Sequence, residues 1–257
     1  MKKVALITGS TSGIGKAIAH KFAEEGFNVA ISGFGGDAEI AAQIQGLKAL
    51  NIEAMHFHAD LTKAADCAQL IANVFAHFGR LDVLVNNAGM QYVAPIDQFP
   101  DEIWEKVISL DLSSNFYMMK HALPIMREQK WGRIINIASA HGLVASEDKS
   151  AYVAAKHGLV GLTKVVALET ALENITCNAI CPGFVYTPLV EAQIQQKAAA
   201  DNMPFEDAKE KFVAAKHPSK RFVEMNDVAE LAFFLSRDCA KEIRGASYVM
   251  DGGWCVG

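Results

Sequence analysis

The sequence predicts a single doubly wound α/β domain, a seven-stranded parallel sheet with helices on both faces, and three observations predict it. Short β-rich runs alternate with longer helical patterns along the chain, as parallel strands joined by right-handed helical crossovers require. Runs such as VALIT and DVLVN are apolar without alternation, which fits strands covered on both sides. No linker or shift of composition divides the 257 residues, and with 51% hydrophobic and 21% charged residues they can fill one sizeable core.

The first strand, VALIT (4–8), leads into an amphipathic helix over 14–25 that ends at Gly26. FNVAIS (27–32) is the second strand, followed by a helix to about residue 50, and EAMHFHAD (53–60) is the third, followed by a helix to about 78. LDVLVN (81–86) precedes one long helical region over 101–129, and RIINIAS (133–139) precedes a helix over 151–173. NITCNAIC (174–181), a helix over 226–237 and ASYVMDG (246–252) complete the pattern. Residues 188–218, rich in Gln, Ala and Lys, read as a helical insertion, either a flap over a site or an ordinary surface segment.

Composition narrows the function. A net charge of −5 without long Lys/Arg runs gives no footprint for nucleic acid. Purely apolar runs fall far short of the roughly 20 residues of a membrane helix. MKKVALITGS breaks at Thr8-Gly9 with no cleavage pattern and reads as a strand, not a signal peptide. The five cysteines (67, 177, 181, 239, 255) form no CxxC pair, which points to reduced thiols in the cytoplasm, and no cluster has metal-ligand spacing.

Two stretches carry chemistry. TGSTSGIG (8–15) follows the first strand and opens the first helix; glycines at 9, 13 and 15 allow a tight turn and the close approach of a pyrophosphate to the helix N-terminus. A ligand-free βα turn explains the glycines alone, and the strand–turn–helix context favours the phosphate loop. SAYVAAKHG (150–158) puts Tyr152 and Lys156 one helical turn apart on one face. A free phenol has a pKa of about 10, and a neighbouring cation favours the phenolate, so the pair reads as a base with its activator.

TGSTSGIG, NNAG (86–89), Ser139, Tyr152-x-x-x-Lys156 and Pro182-Gly183, in that order over essentially the whole chain, resemble the short-chain dehydrogenase/reductase family. The resemblance implies a single-domain Rossmann fold over 1–257, a nicotinamide cofactor and a homotetramer packed through the helices near 101–128 and 151–173. It assigns Gly9, Thr11, Gly13, Ile14 and Gly15 to the pyrophosphate side, Phe34, Asp60, Leu61 and Asn87 to the adenosine side, and Tyr152, Lys156, Pro182, Gly183, Val185 and Thr187 to the nicotinamide side. For Asp60, an N-cap role for the helix after Leu61 is an additional reading. No acid follows the second strand before Asp37, but neither Ser12 nor 33–37 offers a Lys or Arg to a 2′-phosphate, so NAD is the expected cofactor.

The resemblance makes Ser139, Tyr152 and Lys156 catalytic and expects an Asn where this chain, in ISLDLSSNF, has Asp111. An acid there partly cancels the pull of Lys156 on Tyr152. Gln91, His141, Lys149 and Gln193, two potential cations and two amides, fit a small carboxylate. With IASAHGLVAS, NAICPG and DGGW they resemble the bacterial D-3-hydroxybutyrate dehydrogenase subgroup, whose substrate pair is 3-hydroxybutyrate and acetoacetate. Ser139 and Tyr152 meet the reacting oxygen, and Trp254 closes the methyl end; Phe184 and Tyr186 stand where the subgroup has Trp and Arg. A 3-oxoacyl-thioester reductase and a non-catalytic NAD(H) sensor are the alternatives.

Overall fold

The computed structural model describes residues 1–256. Seven parallel strands form one sheet in the order β3-β2-β1-β4-β5-β6-β7: β1 Val4–Thr8, β2 Asn28–Ser32, β3 Ala54–His56, β4 Val83–Asn86, β5 Gly132–Ile137, β6 Ile175–Pro182 and β7 Ser247–Met250. Helices α1 Gly13–Glu24, α2 Asp37–Lys48, α3 Ala64–Phe78, α4 Asp101–Ile108, α5 Ser114–Glu128, α6 Ser150–Glu169, α7 Pro188–Ala200, α8 Phe205–Ala214 and α9 Met225–Ser236 connect them.

Every residue of β1, β4, β5 and β6 is buried. Alternate side chains of each strand feed cores on opposite faces. Leu6, Leu84, Ile134 and Cys177 pack on one side with α3 and α5, including Leu70, Met118 and Met119. Ala5, Ile7, Val85, Ile135 and Ile180 pack on the other with α1 and α9, including Ile18, Phe22 and Ala232. β1 hands the chain to β2 on one side and β4 hands it to β5 on the other. A crevice therefore opens above the C-terminal ends of β1 and β4.

Two elements differ from the sequence reading, and a third is filled in. β3 ends at His56, because it is an edge strand whose only ladder, to β2, stops there. The helical region over 101–129 is divided by a π-turn, Ser109–Ser113. Residues 188–218 form the hairpin α7–α8, whose own small core joins Ile194, Ala198 and Ala208 to Phe205, Phe212 and Phe222. By length and composition α6 also satisfies the requirement for crossing a membrane, which the search for purely apolar runs passed over. Its apolarity has a local cause: Ala151, Ala155, Leu159 and Val166 are buried within the domain.

Phe22 fixes α1 to the sheet, fully buried, with its ring edge-on to Phe27 at 5.1 Å and Phe233 at 5.7 Å. Phe22→Ala is expected to lower unfolding free energy by about 3–5 kcal/mol in denaturant titration. A loss under about 1 kcal/mol would show that this cluster does not anchor the helix.

Candidate active site

The crevice is a cleft of about 410 Å³. At its floor the turns after β1 and β4 interlock. Asn87 Nδ2 donates to the carbonyls of Thr8 (2.9 Å) and Gly9 (3.0 Å), while Thr8 Oγ1 accepts from the N–H groups of Asn87 (2.9 Å) and Ala88 (3.0 Å). Gly9 has φ of +60°, and a Cβ there would stand 2.8 Å from Ala88 Cα. A Cβ on Gly15 would stand 2.4 Å from both Gly9 O and Asn87 Nδ2. The first turn of α1 has no acidic residue and no side-chain cap, which leaves its N–H groups available to an anion. Thr11, Gly13, Ile14 and Phe34 line this end, and Thr11 Oγ1 donates to Phe34 O at 2.6 Å. These features fit the pyrophosphate and ribose of a dinucleotide.

Gly15, Asp60 and Leu61, expected at the cofactor, do not line the cleft. Gly15 acts beneath it, through the close packing just described. Asp60 turns its carboxylate to the N–H and hydroxyl of Thr62 (3.1 and 2.6 Å) and to Lys63 Nζ (3.1 Å). It braces the turn before α3, and the residue preceding that helix is Lys63, so Asp60 is not its N-cap.

At the centre, Ser139 stands two residues beyond β5 in extended backbone, and its hydroxyl accepts the His141 N–H at 3.1 Å. Tyr152 and Lys156 project from α6. The Lys156 ammonium is buried, donates to Ile137 O at 3.1 Å and lies 5.5 Å from the centre of the Tyr152 ring. Burial raises the pKa of Tyr152 above the ordinary phenol value, and Asp111 adds to the rise, while Lys156 and a hydrogen bond with Ser139 oppose it. In the protein alone, desolvation outweighs the pull of Lys156 on the phenol.

The π-turn delivers Asp111 to this centre, fully buried, with Oδ1 accepting the Met90 N–H at 2.8 Å and Oδ2 3.5 Å from Lys156 Nζ. Oδ2 has no hydrogen-bond partner. Burial pushes the carboxyl up to about 6 against the pull of Lys156 and the Met90 N–H.

Beyond Tyr152 the cleft becomes a polar pocket. The Ala94 N–H donates to Asp148 O at 2.9 Å, tying the Gln91 loop to the Lys149 loop. Gln193, on α7, donates to Gln91 Oε1 at 3.5 Å; this leaves Gln91 Nε2 buried with no acceptor. The Lys149 pKa is lowered to about 8, by burial and then by Lys216. Buried His141 is not the second cation expected: burial, then Lys149 and Lys216, push its pKa to about 3, so the ring is neutral at physiological pH and its Nε2 pairs with Ser146 Oγ at 3.0 Å. Trp254 closes this end, edge-on to His141 at 4.8 Å and beside Phe184 at 5.4 Å. Pro182, Gly183, Val185 and Thr187 form the wall beneath α7, and Thr187 Oγ1 caps that helix by accepting the Val190 N–H at 3.4 Å. Sequence reasoning missed His217 and Lys216, which reach this wall from beyond α8 and carry no local motif.

A phosphate-fitting turn, a nicotinamide-side wall and a Ser/Tyr/Lys centre in one doubly wound domain define a nicotinamide-dependent oxidoreductase. The profile of the short chain dehydrogenase family matches residues 3–198, and the chain belongs to that family. Among its relatives are the D-beta-hydroxybutyrate dehydrogenases of Cupriavidus necator, 50% identical over 98% of this chain and 97% of the relative, and of Rhizobium meliloti, 49% identical over 99% of each. Among solved structures, an actinorhodin polyketide ketoreductase variant with NADPH superposes with a TM-score of 0.93 at 33% identity, over 100% of this chain and 98% of that one.

An ionised Asp111 disfavours the Tyr152 phenolate, so Asp111→Asn is expected to move the acid limb of the kcat/KM profile for alcohol oxidation toward lower pH, by about half a unit or more. A profile that keeps its acid limb in place would show that Asp111 does not act on Tyr152.

Proposed function

We propose that this enzyme oxidises (R)-3-hydroxybutyrate to acetoacetate with NAD, reversibly. The observation that carries the reading is the acid end of the cleft. There a lysine with no ion-pair partner among the described residues, Lys149, and a buried amide with a free donor, Gln91, share one pocket with the neutral ring of His141. Such a set lacks only a carboxylate. A short hydroxy acid reaching from it places its alcohol at Ser139 and Tyr152, while Trp254 covers the methyl group. The 50% identity to a D-beta-hydroxybutyrate dehydrogenase supports the same substrate.

NAD is supported by the Phe34 end of the cleft. Lys149 and Lys156 are the basic chains among its described lining residues, and both belong to the chemistry end. Lys16 lines an adjoining groove, where Glu39 accompanies it. The bound nicotinamide supplies the hydride acceptor and, when oxidised, a positive charge that favours the phenolate. Tyr152 takes the alcohol proton, Lys156 stabilises the phenolate, and Ser139 donates to the oxygen as it becomes a carbonyl. Asp111, through the Met90 N–H and Lys156, positions the ammonium. The α7–α8 hairpin, which reaches Gln91 through Gln193, is read as the cap over the acid end.

A cytoplasmic homotetramer is the assembly we infer. Its support is the apolar surface on α4, α5 and α6 and just beyond α6: Trp104, Phe116, Val165, Leu168 and Leu172 are all exposed.

NADH formation from (R)-3-hydroxybutyrate is expected to exceed NADPH formation from NADP at least tenfold in kcat/KM, roughly the effect of one unsatisfied charge contact. Tyr152→Phe is expected to lower kcat at least about a hundredfold with the fold intact. Absence of turnover with this acid in the presence of NAD, alongside turnover of a 3-oxoacyl thioester, would overturn the assignment.

A further inference from the structure

Lys216 lies two residues past the end of α8, and its position is set by its neighbour. His217 is fully buried; its Nε2 accepts the Phe184 N–H at 2.8 Å, so its Nδ1 donates to Arg221 O at 2.7 Å. The ring lies nearly parallel to Phe184, 10° apart with centroids at 5.4 Å. Gly183 and Gly252 leave it no slack, because a Cβ on Gly183 would stand 2.3 Å from Nε2 and one on Gly252 would stand 3.1 Å from Nδ1. This latch fixes the chain at 216 against the cleft wall.

From there the exposed Lys216 side chain carries its ammonium to 5.6 Å from the centre of the Trp254 ring. Lys149 carries its own to 5.8 Å from the centre of Phe184. The two rings are themselves 5.4 Å apart, so two ammonium groups from different segments flank one aromatic pair. Neither has an ion-pair partner among the described residues, and the nearby acids do not supply one. Asp251 is committed to the N–H groups of Gly253 (2.9 Å) and Cys255 (2.7 Å), Glu147 and Asp148 are exposed on the Lys149 loop, and Asp111 faces Lys156. Two neighbouring like charges without a protein counter-ion favour an anion supplied from solution.

We propose that Lys216 is a second substrate-binding cation, which with Lys149 brackets the carboxylate of a short hydroxy acid at the mouth of the cleft. This rests on the hydroxy-acid reading of the site and adds to it a residue that governs affinity and selection for the charged acid. Lys216 also bears on Lys149 directly. Burial, and next the facing Lys216, hold the Lys149 ammonium at about 8, so the charge that binds substrate is lost above that pH. Removing Lys216 lets Lys149 keep its proton to higher pH. The other ionisable groups facing the pocket are His141, whose pKa near 3 leaves it neutral, and His157 on α6, which adds to the lowering of His141.

The test is steady-state kinetics of the full-length wild type, Lys216→Met, Lys216→Gln and Lys216→Arg, with (R)-3-hydroxybutyrate and its neutral methyl ester, across pH and NaCl concentration. Both neutral variants are expected to raise KM for the acid about threefold to tenfold with kcat within about twofold, and to flatten the salt dependence of KM. They are also expected to move the alkaline rise in KM to higher pH and to leave the ester unaffected; Lys216→Arg keeps wild-type behaviour. Unchanged KM and an unmoved alkaline rise in both neutral variants would overturn the proposal, as would an equal rise in KM for acid and ester, which would mark a packing role. A wild type that does not oxidise the acid is a separate result, visible before any variant is measured, and sinks the functional reading itself.

Discussion

The burial of one ammonium group organises this active site. Lys156 is almost completely removed from water, and an unpaired charge in that position would cost several kcal/mol. Its satisfaction draws in three separate parts of the chain: the carbonyl of Ile137 at the end of β5, the Asp111 carboxylate at 3.5 Å and, by its field, the Tyr152 ring one turn away. The π-turn between α4 and α5 serves this arrangement. That turn brings Asp111 to the lysine, while the Asn115 side chain donates to Asp111 O at 2.7 Å to hold the altered backbone. A π-turn at a functional position is a common use of this irregularity.

The same constraint explains what the sequence could and could not convey. Strands buried on both faces have an unmistakable composition, so β1, β4 and β6 were legible, whereas edge strand β3 was overextended because its apolar residues continue beyond the ladder into a loop. Glycines at 9 and 15 were legible as a phosphate turn. The reason for Gly15 is different from the one a motif supplies, since its missing side chain makes room for Asn87 and the Gly9 carbonyl. The π-turn was illegible, for helical periodicity carries through it with little change. Charge states were illegible for a related reason. His141 looks like a cation and Tyr152 an activated base until their burial is known, and burial is a property of the whole fold. Lys216 and His217 follow no motif; only the packing of α8 on Phe184 through Phe212 brings them beside Phe184 and Trp254.

The cleft also holds buried polar atoms that have no partner in the protein. Buried groups without partners cost about 1–3 kcal/mol each, and two of the few here, Gln91 Nε2 and Asp111 Oδ2, line this one cavity. Their chemistry is opposite. Gln91 offers a donor where a ligand must bring an acceptor, and Asp111 offers an acceptor beside a lysine that already has one partner. On the proposed reading, the first would be satisfied by an anionic substrate. The second sets negative charge against Lys156 and adds to the burial that already raises the pKa of Tyr152.

That division gives the site a direction. A free cation and a free donor, Lys149 and Gln91, share the acid end, whereas Asp111 is set against Lys156. On the proposed reading, a hydroxy acid would be drawn carboxylate first to the outer end and kept from the inner one, since a second carboxylate near Asp111 would meet like charge in a poorly solvated place. Its alcohol is thereby left between Ser139 and Tyr152. On the proposed reading, orientation in this cleft comes from the separation of its charges along the axis, and a lysine at the rim would then bear on selection for the charged acid while touching none of the reacting atoms.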